Sequence, residues 1–340
     1  MSTVEVRTGS RIHITLIEMN GTETARVDGG IGMMLESPAI VVRARPAAAD
    51  SIMLSESTAP SSREELFSGI TALAARIRAS LKIGAMQIEV LCCPAAHTGL
   101  GAKTQVLLAV AVAAIRSYDH EVDLGALAEF TGRGGTSGIG FYGFQLGGFI
   151  VDAGHPIATK GGELIYRPSS RSQSAGTPSL LARYEFPTWP VLIVTPSGHR
   201  IHGEWEARLF KEVCPIPTDD VRSVCQIILM RILPAIVEND LAAFGAGLWE
   251  IQSRRWKAFE IQSQVPGVGR LMSRLRDELH VTGAGMSSWG TSIMCVDQRL
   301  SDTRCEGFVE EVRRIMVAET GEGQLILTRG LNAPAAISVT

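Results

Sequence analysis

Pro94-Ala95-Ala96-His97-Thr98-Gly99-Leu100-Gly101-Ala102-Lys103-Thr104-Gln105 runs directly into Val106–Ile115, an unbroken apolar run. A short strand is expected just before it, over Met86–Leu91. Strand, glycine loop and helix in that order aim the first amide N–H groups and the positive end of the helix dipole at a phosphate. Lys103 and Thr104 fall in the first turn. The loop is not a Walker motif, since G-x-x-x-x-G-K-[ST] would need glycine at 97 and 102, where the chain has His97 and Ala102. The plainer reading is a short helix-capping turn.

A second stretch, Thr131–His155 (TGRGGTSGIGFYGFQLGGFIVDAGH), holds nine of the chain's 35 glycines. Each interior glycine costs a helix about 1 kcal/mol relative to alanine, so a loop is expected. Such a loop suits a backbone that approaches a ligand closely. Gly134, Gly135, Thr136, Ser137 and Gly138 would form an anion nest, with Arg133 adding fixed charge. Within the stretch, Gly138-Ile139-Gly140-Phe141-Tyr142-Gly143 matches G-x-G-x-x-G, but no apolar strand feeds into it, so it carries no dinucleotide signal. Asp152 and His155 close the segment.

Two further glycine-rich turns are expected. Arg26-Val27-Asp28-Gly29-Gly30-Ile31-Gly32 follows the turn signal Asn20-Gly21. There Arg26 would grip an anion and Asp28 a metal or a sugar hydroxyl, unless they are a solvated arginine and a turn aspartate. The other is Val281–Ser288, continuing into Trp289-Gly290. Around these turns, strands are expected at Val4–Val6 and Ile12–Ile17, with a break at Gly9-Ser10, and at Ala39–Ala44, Leu180–Phe186, Val191–Thr195, Ile293–Val296 and Gln324–Thr328. Helices are expected from Ser61 or Ser62 (as cap) to Lys82, and over Leu124–Phe130, Glu204–Val213, Val221–Glu238, Leu241–Ile261, Val268–Leu279 and Asp302–Ala318. Ala47–Ser62 reads as a loop. Tyr166–Pro178, with Arg167 and Arg171, reads as a lid or a linker. An α+β fold of two lobes, 1–170 and 171–340, is the resulting expectation.

Composition bounds the function. A net charge of −3 provides no basic field for nucleic acid. No apolar run approaches the length of a membrane span. MSTVEVRTGS has no apolar signal region, and six cysteines without C-x-x-C spacing read as reduced thiols, so a cytoplasmic setting is expected. Arginine outnumbers lysine 27 to 5, which suits phosphate handling or a GC-rich genome. There is no zinc motif, no Schiff-base lysine context and no sign of PLP or haem. Three of these glycine-rich segments, His97–Gln105, Thr131–His155 and Gly283–Gly290, together indicate a polyphosphate-type anion, with Mg2+ to compensate its charge.

These motifs resemble a known family. Ser10–Ile17, Arg26–Gly32, His97–Gly101, Gly132–Gly140, Gly147–His155 and Ser287-Ser288-Trp289-Gly290 are similar, in order and over nearly the whole chain, to the β-ribofuranosylaminobenzene 5′-phosphate synthase family of the GHMP-kinase-like superfamily. The resemblance implies a GHMP-kinase-like fold, a homodimer, and a reaction of phosphoribosyl diphosphate (PRPP) with a carboxylated aromatic acceptor that releases diphosphate and CO2. It implies that His97 to Gln105 (Thr98, Gly99, Leu100, Gly101, Ala102, Lys103 and Thr104 between them) hold the donor phosphates. Arg26, Asp152, His155 and His13 would then be catalytic, Met286, Ser287, Ser288 and Trp289 would bind the acceptor, and Asp28 with Asp152 would hold Mg2+.

The chain departs from the family pattern at Ala102-Lys103, where Ser-Gly is expected, at Met286 (Gln expected), at Thr291-Ser292 (Pro-Thr expected) and over Ser253–Gln264. Met286 removes a donor and an acceptor from the expected acceptor pocket. That suggests another acceptor, such as the 4-aminopyrazole-3,5-dicarboxylate used by the C-nucleoside-antibiotic branch. The alternative is 4-aminobenzoate or 4-hydroxybenzoate, as in methanopterin biosynthesis. An ATP-dependent small-molecule kinase is the alternative of a different class.

Overall fold

β1 (Val4–Glu18) is one strand rather than two. At the expected break its register against β2 (Arg26–Pro46) merely shifts, between Thr8 and Ser10. Glycine is needed there because a Cβ on Gly9 would lie 1.8 Å from the Leu35 carbonyl oxygen. The expected turn at 26–32 is also strand. Gly30 and Gly32 face crowded neighbours: a Cβ on Gly32 would stand 2.2 Å from the Ile12 carbonyl oxygen, and one on Gly30 would stand 2.9 Å from His13 Nε2. Glycine inside this strand marks close approach, not reversal. The structure is a computed structural model and describes every residue except 1, 57, 163–165, 167–175, 199, 200, 202, 303 and 304. Arg167, Arg171 and most of the lid-or-linker stretch lie outside the described residues.

β3 (Ser51–Leu54) sits inside the segment expected as loop and pairs in parallel with β4 (Met86–Cys92), which lies antiparallel to β2. β5 (Phe149–Asp152) and β6 (His155–Pro156) also pair with β2. β7 (Leu180–Tyr184) pairs with β5. A second, antiparallel sheet contains β8 (Pro190–Pro196), β9 (Gly283–Met286), β10 (Ile293–Val296) and β11 (Gly323–Arg329), in the order β11-β8-β10-β9. The last strand is not β11, as expected, but β12 (Ala336–Val339), which returns to pair with β1. Two strands from beyond residue 170, β7 and β12, therefore belong to the first sheet.

α1 (Pro60–Leu81), α2 (Ala102–Ser117), α3 (Leu124–Thr131) and α4 (Ile139–Leu146) pack around the first sheet. Val4, Val6, Ile40 and Val42 of the sheet meet Ile70 and Ile77 of α1 and Val106 and Val110 of α2 in one core. The α1 cap falls on Ala59 ahead of Pro60, not on Ser61 or Ser62. Ser62 Oγ instead accepts a hydrogen bond from the Ala96 amide, 2.9 Å away, and so braces the glycine loop that enters α2. α4 lies in the stretch whose glycine content argued against a helix. Its propensity cost is offset by packing: a Cβ on Gly143 would come within 2.6 Å of Met34 Sδ, and one on Gly140 within 3.1 Å of Thr104 Cγ2.

The second sheet is accompanied by α5 (Gly203–Val213), α6 (Thr218–Ile227), α7 (Leu233–Glu238), α8 (Leu241–Ser253), α9 (Arg255–Gln262), α10 (Pro266–Asp277) and α11 (Cys305–Thr320). The helix expected over Val221–Glu238 passes through a π turn at Ile228–Ile232, and the one over Leu241–Ile261 breaks at Arg254. A middle core binds the two sheets together: Ile12, Ile14, Ile31 and Phe149 of the first meet Val191, Ile193 and Met294 of the second, with Phe244 of α8. Among the described residues no helix is long and apolar enough to cross a membrane. All six cysteines are free thiols.

Candidate functional site

The phosphate loop is locked from behind by the second lobe. Ser287 Oγ donates to the Gly99 carbonyl at 2.7 Å and accepts from the His13 amide at 3.0 Å. Arg11 Nη1 donates to the same Gly99 carbonyl at 2.9 Å. Gly99 and Gly290 touch backbone to backbone, where a Cβ on Gly290 would stand 2.0 Å from the Gly99 amide nitrogen. Gly99 and Gly101 have φ of 94° and 71°, a conformation glycine adopts without a side-chain clash.

In front of this loop lies a cavity of about 230 Å³. Arg11, Lys103 and Arg133 line it, with Glu65, Glu206, His97, Thr104, Ser288 and Trp289. The first turn of α2 opens onto it. Three fixed cations at a helix N-terminus make an anion site by charge and by dipole together. Trp289 is a rigid wall, packed edge-on to Trp256 with ring centroids 5.6 Å apart. Burial holds both Arg11 and Arg133 down to about 10, and Glu206 and Glu65 respectively pull the other way. Glu206 is pushed up to about 8, by burial and then by Glu260, with Arg11 opposing.

Several expected donor residues do not line this cavity. Leu100 belongs to the middle core, and Thr98 Oγ1 is spent on the Ala95 carbonyl at 2.9 Å. Gln105 is fully buried and donates to the Gly140 carbonyl at 2.7 Å, tying α2 to α4. Of the expected nest, Arg133 reaches the cavity, whereas Gly134, Gly135, Thr136, Ser137 and Gly138 do not line it. The Gly138 amide and Ser137 Oγ instead donate to Asp152 Oδ2, at 2.9 and 3.4 Å. In the third loop, Ser288 and Trp289 reach the cavity, Ser287 supports it from behind, and Met286 does not line it. The Met286 side chain is completely buried in the core with Leu192, Val268 and Ile293. A residue on the inward face of β9 is fixed by that packing, so the Met286 side chain does not reach this cavity.

Asp28, Asp152 and His155 form a separate, buried group, with the half-buried Arg26 at its edge. Asp28 Oδ2 meets His155 Nδ1 at 3.1 Å and Lys160 Nζ at 2.5 Å, while Oδ1 has no partner among the described residues. Asp28 itself has φ of 68°, an uncommon conformation for a residue with a side chain. Arg26 is spent on backbone, donating to the Ala153 and Gly154 carbonyls at 3.0 and 2.9 Å, so it pins the turn beside Asp152. Asp152 is raised to about 7. Burial dominates, the Gly154 and Gly138 amides oppose it, and the Asp28 charge adds to it. His13 is buried, its Nε2 without a partner among the described residues, and burial, then Arg11 and Lys257, hold it well below the usual histidine range.

The donor set at Asp28 and Asp152 does not suit a resident Mg2+. Lys160 occupies one carboxylate and backbone amides occupy both oxygens of the other. Among the described residues, no group of three or more His, Cys, Asp or Glu side chains is arranged to hold a metal ion.

Sequence reasoning passed over Glu65, Glu206, Lys160 and the pair Lys257–Glu260. Lys257 is buried, paired with Glu260, and donates to the Met286 carbonyl at 2.8 Å. Lys257 lies in Ser253–Gln264, the stretch already noted as atypical; for the others only spatial proximity gives the signal.

Two lobes closed around a glycine loop at a helix N-terminus define a protein of the GHMP-kinase fold. The homoserine kinase of Cytophaga hutchinsonii has this architecture: it superposes with a TM-score of 0.65 at 12% identity, covering 99% of this chain and 97% of that one. At sequence level the chain is 38% identical to the β-ribofuranosylphenol 5′-phosphate synthase of Methanothermobacter thermautotrophicus, covering 97% of each. It is 37% identical to the enzyme of the same name from Archaeoglobus fulgidus, covering 99% of this chain and 100% of that one. No family model matches. The chain belongs to the β-ribofuranosylphenol 5′-phosphate synthase family.

Proposed function

We propose that this protein transfers the ribosyl 5-phosphate unit of PRPP to the carboxyl-bearing carbon of a phenol-type aromatic acid such as 4-hydroxybenzoate, with release of diphosphate and CO2. The observation that carries this reading is the cavity bearing Arg11, Lys103 and Arg133 at the first turn of α2, in a chain whose full-length relatives are named for a ribofuranosylphenol phosphate.

The chemistry follows from charge. The anomeric C–O bond breaks with its electron pair leaving on diphosphate, and positive charge develops at the sugar carbon. Lys103, Arg133, Arg11 and the amides at the start of α2 stabilise the departing anion. The ring carbon bearing the carboxylate forms the new C–C bond. Loss of CO2 then returns the electron pair to the ring, so no base is needed at that carbon. Mg2+ belongs to this scheme as part of the substrate, chelated by the donor's diphosphate. Asp152, by holding the Gly138 amide, fixes the loop that presents Arg133. Asp28, His155 and Lys160 support that wall.

The preference for a pyrazole dicarboxylate rested on Met286, on the other departures from the family pattern and on the arginine-rich composition, and burial of the Met286 side chain takes away the first of these. The product for which the relatives are named favours the phenol acceptor. Incubation with PRPP, Mg2+ and carboxyl-labelled 4-hydroxybenzoate should release diphosphate and labelled CO2 in equal amounts. The 4-amino compound and the pyrazole dicarboxylate, run in parallel, rank the acceptors. ADP formation from ATP with a small alcohol, and no CO2 from any acid, would overturn the synthase reading in favour of a kinase.

A further inference from the structure

Glu65 stands on α1 and faces the phosphate loop across the cavity. Its Oε2 lies 2.6 Å from His97 Nε2 and its Oε1 lies 2.5 Å from Lys103 Nζ. Both partners line the cavity, as Glu65 does itself. One carboxylate thus engages two of the loop's side-chain groups placed to meet phosphate oxygens. It is a permanent anion: the His97 hydrogen bond, then Lys103, hold it at about 2 against the opposing effect of burial.

We propose that Glu65 is a specificity-determining residue, an internal counter-anion seated on His97 and Lys103 that the donor's diphosphate must displace and that lone phosphate cannot. The proposal rests on the reading of this cavity as the donor site. A tethered carboxylate competes at an effective concentration in the millimolar range. A single phosphate must break two charge-assisted hydrogen bonds and then remain beside the displaced carboxylate, so the exchange gives little net gain. A diphosphate reaches further. One phosphoryl group takes Lys103 and the α2 amides while the other meets Arg133 or Arg11, and the additional contacts offset the displacement. The loop is thereby kept from filling with cellular phosphate.

The test is calorimetric titration of inorganic phosphate and inorganic diphosphate, at fixed Mg2+, into the wild type, Glu65→Gln and Glu65→Ala. Both variants should bind phosphate at least about ten-fold more tightly than the wild type, with a smaller gain for diphosphate, so that the preference for diphosphate contracts. Phosphate binding unchanged or weakened in the folded variants would overturn the proposal, because Glu65 would then only hold His97 and Lys103 in place. Thermal unfolding identifies the variants that fold. Two substitutions are used so that one misfolded variant does not decide the matter. Turnover of PRPP is scored separately: its absence in the wild type sinks the synthase reading, whereas the phosphate-to-diphosphate ratio tests Glu65 alone.

Discussion

Ser287 Oγ donates to the carbonyl of Gly99, 188 residues away in sequence, at 2.7 Å. This bond joins the glycine-rich loop at Gly283–Gly290 to the one entering α2 and accounts for these two loops meeting at one place. Ser287→Ala removes it and leaves the buried His13 amide without its side-chain acceptor. A loss of roughly 1–3 kcal/mol in stability is expected. On the proposed reading, in which the loop it braces holds the donor, KM for PRPP should rise more than kcat falls. Urea unfolding and steady-state kinetics report the two effects separately, and an unchanged KM would contradict the bracing role.

Lys103 is the one charged residue in the first turn of α2. Lys103→Ala should raise the dissociation constant of PRPP by about ten-fold or more, the range for losing one charge-assisted contact. Acceptor affinity should change far less. Equilibrium binding of each substrate alone makes the comparison, and equal weakening of both would place Lys103 away from the phosphates.

Asp152 gives a pH signature with a definite sign. Its proton is held more tightly in the folded state, at about 7, than at the ordinary 3.8 of an unfolded chain. Its contribution is therefore fully present below the unfolded value and is lost as pH rises through the folded one. Asp152→Asn should flatten the fall in stability between those two pH values by up to one proton. Unfolding free energies across that window measure the slope, and an identical slope in the variant would show that Asp152 does not titrate there.

Met286 lies in the core rather than the cavity. Met286→Gln should leave the ranking of aromatic acceptors unchanged while costing about 1–3 kcal/mol for a buried amide without a partner. Competition between 4-hydroxybenzoate and a pyrazole dicarboxylate, assayed in both proteins, checks this. A reversal of preference would restore Met286 as an acceptor residue.

Where local pattern and packing agreed, the sequence was readable. Val106–Ile115 is helix because it is apolar and buried almost all round, and Met86–Leu91 is strand between flanking loops. Where glycine was taken as loop, packing reversed the reading twice, at Gly30 and Gly32 in β2 and at Gly140 and Gly143 in α4. In each case the missing side chain is what lets another element approach, and that neighbour is distant in sequence. The site was legible by the same rule. His97, Gly99, Gly101, Lys103 and Arg133 announce themselves within short motifs. Glu65 looks like an ordinary acidic residue near a helix start until α1 is folded against the loop.

The sequence by itself determined the phosphate loop, its helix and the family, because local conformation and motif order need only neighbouring residues. Only the tertiary structure decided that Asp28, Asp152 and His155 stand in a group of their own, that Met286 is core, and that Glu65 sits on Lys103. Those are statements about side chains brought together from separate elements. They depend on which faces of β2, β9 and α1 are buried, and chain order alone does not specify that.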